Sequence, residues 1–221
     1  AALSAAALAE RGAPAGDAPP MAHPPRLALV RSPVWHKADR YAQEHFLDVA
    51  GRLRAAGAEV AERELPPAFE EAHAVQRTIM YGEGGRVFAE LQRRDRGRIS
   101  PRLNALIDEG LAIADADLAY ALERQRLFAA ELDAFLGACD AILTPPTPGE
   151  APADLTQTGD PVFCTIWSLC GVPAVTIPTG RGPSGLPLGL QVVGPRSGDD
   201  RVLSVARWCD ERVGWEQRIA G

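Results

Sequence analysis

The chain has 221 residues, enough for one large domain or two small ones with a substantial core. A hydrophobic content of 46% with 24% charged residues is ordinary for a soluble globular protein. The net charge of −6 argues against nucleic acid or an anionic membrane as a partner, and no apolar run approaches the ~18 residues of a membrane span.

Among the basic residues there is one lysine, Lys37, and the other 22 are arginines. With the many alanines, this suggests a GC-rich bacterial genome. It also leaves a single candidate for any mechanism that needs a lysine base. The cluster Arg93, Arg94, Arg96 and Arg98 reads as a solvated helix end and loop rather than an anion site. Cys139, Cys164, Cys170 and Cys209 show no C-x-x-C spacing and stand in apolar surroundings. They read as buried free thiols of a cytoplasmic protein, not as a disulfide framework.

The opening stretch "AALSAAALAERGAP" lacks a methionine and a basic n-region, so it is a poor signal peptide. It resembles the end of a helix, and residues 1–25 are expected as a truncated helix tail followed by a Gly/Pro/Ala linker. A short apolar strand comes next at 26–30. Residues 39–56 predict an amphipathic helix with Ala42, Phe46, Val49, Ala50 and Leu53 on one face, stopped by Gly57. "AEVAERELP" (58–66) predicts a second strand, so the order strand–helix–strand suggests a βαβ unit with parallel pairing.

Residues 68–137 read as helical throughout. The first helix carries Phe69, Ala72, Val75, Ile79 and Met80 and runs to about Leu91, across glycines 82, 84 and 85 that disfavour it. A second begins at Ser100-Pro101, with serine as the cap and proline in the first turn. A third, capped near Asp115 or Asp117, runs to Leu136. Strands return at 141–145, 174–178 and 187–194. A helix is expected over 161–169 with Asp160 as its cap, and another over 199–213 closes the chain. The whole predicts an α/β fold: a mixed sheet flanked by helices, in a single domain over 26–221.

Gly180, Gly182 and Gly185 spell a literal G-x-G-x-x-G. A dinucleotide site needs a helix after the glycines, so that its free N–H groups meet a pyrophosphate. The residues after Gly185 are instead "LPLGLQVV", which alternate and are β-branched. The motif is therefore turn chemistry between two strands.

Catalytic machinery is hard to find. His23, His36, His45 and His73 have no zinc-ligand spacing, so no metal is implied. His45 and His73 read as partly buried packing residues. Ser184 sits in "GPSG" without G-x-S-x-G around it, and Cys164 and Cys170 have no neighbouring histidine. No cofactor motif appears.

The last third is nevertheless distinctive. "DAILTP" (140–145), "GVPA" (171–174) leading into a strand, and "GLPLGLQ" (185–191) occur in an order and spacing that resemble the end of the amidase signature family. "PRLALVRSPVW" and "RLRAAGAEVAERELPP" are similar to the family's segment after its catalytic core. The resemblance is strong over 139–209 and extends over nearly the whole chain.

It implies hydrolysis of a carboxylic amide C–N bond through a serine acyl-enzyme. In that family one serine attacks, a second serine relays its proton to an unprotonated lysine, and a Gly-Ser-rich loop holds the oxyanion. This sequence contains no adjacent serine pair, and Lys37 lies in the loop "SPVWHK". No catalytic residue is carried over. The chain is expected to correspond to the C-terminal half of the family fold and to be inactive alone. By the resemblance, Asp160, Phe163, Cys164 and Trp167 help to wall the acyl pocket, with Cys164 standing where the family often has asparagine. The expected partners are a small-molecule amide and either the N-terminal catalytic half or a separate protein chain, including a second copy of this one. The alternative is a non-catalytic binding or scaffold protein that keeps this half of the fold.

Overall fold

The structure is a computed structural model and describes residues 19–213. The expected N-terminal helix tail lies outside the described residues. A five-stranded sheet runs through the molecule: β1 (Arg26–Val30), β2 (Glu59–Arg63), β3 (Ala141–Thr144), β4 (Ala174–Arg181) and β5 (Pro187–Val193). The spatial order is β2-β1-β3-β5-β4. β1 pairs in parallel with both β2 and β3, and β5 pairs antiparallel with β3 and β4. The sheet is mixed, as the sequence predicts.

Six α-helices cover it among the described residues: α1 (Arg40–Ala55), α2 (Ala72–Asp95), α3 (Pro101–Leu111), α4 (Asp115–Leu136), α5 (Thr165–Cys170) and α6 (Asp199–Val213). The strand alternation sorts side chains between two cores. Leu27, Leu29, Ala141, Leu143, Leu190 and Val192 meet α1 and α6 on one face. Ala28, Val30, Ile142 and Val193 meet α2, α4 and α5 on the other. Each large side chain buried there contributes about 1.5–3 kcal/mol. The five α1 residues expected on its apolar face are the five that are buried.

The first helix of this segment crosses its glycines as expected and extends beyond Leu91. α2 continues to Asp95 through Gly82, Gly84 and Gly85. The reason is contact with α3: a Cβ on Gly85 would lie 2.8 Å from the Gly110 carbonyl carbon, and one on Gly110 would lie 2.0 Å from the Tyr81 oxygen. Backbone-to-backbone packing thus outweighs the low helix propensity of glycine. Met80 is 47% exposed rather than part of the core. The Ser100 hydroxyl accepts from Leu103 N at 3.2 Å, as its capping role requires.

Asp140 fastens the start of β3. Its carboxylate accepts from Arg26 N at 2.6 Å and pairs with Arg201 of α6. Burial would raise its pKa, but these bonds outweigh that cost and hold the carboxyl below the usual range.

Candidate functional site

Ligands of open α/β sheets favour crevices at strand carboxyl ends where successive connections leave to opposite faces. After β1 the chain turns to α1, which packs on one face of the sheet. After its neighbour β3 it runs through residues 145–164 to α5, which packs on the other face. Between these two exits lies a cavity of about 860 Å³. Its walls are Asp39 from the β1–α1 turn, Pro146–Pro152 and Gln157–Pro161 from the β3–α5 connection, Cys164, and Pro187 at the start of β5.

Two of the four residues anticipated as a pocket wall, Asp160 and Cys164, line this cavity. Asp160 Oδ1 accepts from Val162 N at 3.0 Å, fixing the turn that enters α5. The helix expected over 161–169 is shorter, Thr165–Cys170, because residues 162–164 form a turn closed by Cys164 N donating to Pro161 O at 2.8 Å. The other two residues are core. Phe163 is 2% exposed among Val34, Ala38 and Val162. Trp167 is likewise buried, in the core that α2, α4 and α5 form with the sheet. His73 holds the same segment from α2, with Nε2 2.9 Å from the Val162 carbonyl oxygen.

Beneath Cys164 the sheet presents a polar row that sequence reasoning did not single out. Thr144 on β3 and Thr176 on β4 are both register partners of Gln191 on β5. Gln191 Nε2 donates to Cys164 Sγ at 3.5 Å, and Cys164 Sγ donates to Pro146 O at 3.5 Å. Thr144 and Gln191 are buried, yet Thr144 Oγ1 and Gln191 Oε1 have no protein hydrogen-bond partner; nor does Trp167 Nε1, one turn beyond Cys164. Unsatisfied buried polar atoms are rare and concentrate where function or bound molecules need them. A usable signal was present: Thr144 and Gln191 are polar residues in otherwise apolar strands.

Gly189 gives this row its room. A Cβ there would lie 2.9 Å from Thr176 Cγ2 and 3.3 Å from Pro146 Cγ. Thr176 is exposed, so the row runs from the buried centre of the sheet to the uncovered face of β4. Chemically, the arrangement can seat and hydrogen-bond a polar group. It offers no activated nucleophile: among the described residues no serine hydroxyl bonds to a lysine or histidine, and Lys37 is exposed on the surface turn Trp35–Lys37. No group of His, Cys, Asp and Glu among the described residues has the geometry to hold a metal.

Known proteins place this architecture. A solved structure described as an amidase superposes with a TM-score of 0.81 at 25% identity, covering 95% of this chain and 49% of that one. A glutamyl-tRNA(Gln) amidotransferase subunit from Thermotoga maritima superposes with a TM-score of 0.64 at 25% identity, covering 86% of this chain and 42% of its own. In sequence, the corresponding protein from Hyphomonas neptunium is 44% identical over 86 residues, 34% of this chain and 18% of that protein. The one from Zymomonas mobilis is 37% identical over 107 residues, 44% of this chain and 22% of that protein. The chain therefore spans about half of the solved structure and about a fifth of these relatives. The Amidase family pattern matches residues 11–203. With the mixed sheet and the matching solved folds, that match over most of the chain establishes that the protein belongs to the amidase family.

Proposed function

We propose that these residues form the C-terminal portion of an amidase that hydrolyses a carboxylic amide C–N bond through a serine acyl-enzyme. They supply part of the sheet and one wall of the amide pocket. The attacking serine, the relay serine and the lysine come from a complementary part of the enzyme, so this chain alone does not turn over amides. One observation carries the reading: the polar row Thr144, Gln191 and Thr176, which meets the cavity wall where Gln191 bonds Cys164, runs onto an uncovered strand face, where a complementary part of the sheet would bring its nucleophile.

Asp160 and Cys164 then touch the acyl group, while Phe163 and Trp167 brace the wall from behind. The relatives named as amidotransferase subunits support partnership with further protein. Free thiols at all four cysteines fit a bacterial cytoplasm, and no helix among the described residues is long and apolar enough to cross a membrane.

A serine-reactive fluorophosphonate and an amide substrate test this. The 221-residue chain is expected to give neither a labelled serine nor turnover. The product of the same reading frame extended upstream is expected to give both. Specific labelling with turnover by the chain alone overturns the division of labour. An extended product with neither would instead make the protein a non-catalytic scaffold.

A further inference from the structure

The glycine-rich turn that fails as a phosphate cradle already holds an anion. Both Glu150 carboxylate oxygens accept from Ser184 N, at 3.1 and 3.0 Å, and Oε1 also accepts from Leu186 N at 2.8 Å. Successive backbone N–H groups in a turn form a concavity suited to a carboxylate or phosphate. Here the ligand is the chain's own side chain. The seat depends on Gly182, because a Cβ there would lie 2.4 Å from Glu150 Cδ. Burial would raise the Glu150 pKa, but the N–H groups of the turn outweigh it and keep the carboxyl below its usual range.

The other end of Glu150 is tied as well. Its backbone N donates to Tyr41 Oη at 3.0 Å, and Tyr41 Oη donates to Asp39 Oδ2 at 2.9 Å. Asp39 N in turn donates to Pro148 O at 2.7 Å. Three separate elements therefore meet in one strap: the β1–α1 turn, the β3–α5 connection and the tip of the β4–β5 hairpin. Asp39, Pro148 and Glu150 are all cavity wall. Between Glu150 and Asp160, by contrast, the bonds run within the connection itself, such as Thr156 N to Asp154 Oδ1 at 2.9 Å and Gln157 N to Asp154 O at 3.1 Å.

We propose that Glu150 is a positioning residue: seated in the Gly182–Leu186 turn, it holds the 146–161 wall against the hairpin and so sets the shape of the cavity. That the cavity receives an amide rests on the function proposed above; the mechanical role of Glu150 does not.

Hydrogen exchange on the chain decides the mechanical role. Glu150→Ala removes the carboxylate. Gly182→Ala keeps it and expels it from the turn, so it carries the test should the first variant fold poorly. Exchange across residues 147–160 is expected to quicken about tenfold in both, with β1 and β3 unchanged. Faster exchange confined to residues 182–186 would reduce Glu150 to a staple of the hairpin tip and overturn the proposal. In the complete, active enzyme both variants are expected to raise KM about fivefold with kcat within about twofold, as lost positioning of bound substrate requires. An unchanged KM in both variants also overturns it. If residues 147–160 loosen while no form of the protein hydrolyses amides, the amide reading fails and the strap stands.

Discussion

The two edges of the sheet are built differently. β2, at one edge, reads Glu-Val-Ala-Glu-Arg, and of these only Val60 is buried. Two of its three charges have partners: Glu62 pairs with Arg31 at 3.0 Å, and the Arg63 guanidinium lies 4.3 Å from the centre of the Phe135 ring. Charged side chains on an edge strand discourage another strand from pairing there. β4, at the other edge, carries no charge before Arg181. Val175 and Ile177 point into the α1–α6 core, while Ala174, Thr176 and Pro178 lie exposed on the opposite face. Pro178 alone removes a backbone donor from that edge. One edge is lined with charge; the other exposes a small, uncharged surface.

The sharpest way to break this contrast compares a central strand with the open edge. Ile142 of β3 is fully buried in the α2–α4 core. Ile142→Ala is expected to cost about 2–5 kcal/mol of unfolding free energy, read by urea titration. Thr176→Lys places a charge on the exposed face of β4 and is expected to change stability by no more than about 0.5 kcal/mol in this chain. It should also lower any self-association seen by sedimentation velocity. A loss of several kcal/mol from Thr176→Lys would mean that the β4 face is closed, and the comparison of edges would collapse.

How much of this was legible in the sequence depends on which forces act locally. β1, α1 and α6 were readable because period and burial agree there; Phe46, Val49 and Leu53 recur at helical spacing and pack on the sheet. What the glycines of α2 are for was not, because Gly85 packs against Gly110 of another helix. At the site, Asp160 and Cys164 could be proposed only through the family resemblance. The partnership of Thr144, Gln191 and Thr176 is a matter of register across three strands. Glu150 gave no sign at all, since its partners at 184 and 186 are backbone groups that a sequence does not display. The glycine motif lacks the helix a nucleotide needs, but its anion-binding geometry is real and is satisfied from within.

β4 is less independent than its open face suggests, and pH can show this. His45 of α1 reaches across to the edge strand, with Nε2 2.9 Å from Thr179 Oγ1, and Gly180 gives the ring room. Burial lowers the His45 pKa from 6.5, with Asp48 opposing and Arg52 adding to the shift. The unfolded chain therefore binds this proton more readily than the folded one. The His45 contribution is fully present above about pH 6.5 and is lost as pH falls below it. The urea midpoint of the wild-type chain is expected to drop more between about pH 7.5 and 5.5 than that of His45→Gln. Equal drops would remove His45 as a pH-sensitive tie between α1 and the edge.

The smallest effect concerns the thiols, which sample the closed and open parts of the molecule. Cys170 and Cys209 lie in opposite cores, and burial pushes each up to about 12. Burial also raises the Cys139 thiol. Cys164 differs in place rather than in kind: it is half-buried and lines the cavity. Alkylation requires the thiolate and physical access, and the three buried cysteines have little of either in the native state. Iodoacetamide near neutral pH should therefore modify Cys164 first, with the others reacting only as the chain unfolds. A molecule seated in the cavity should slow that first step, because Cys164 is part of its wall. Modification of Cys170 at the same rate as Cys164 would place opening motions in the α4–α5 core rather than at the cavity. The closed part of the sheet would then be no better sealed than the open one.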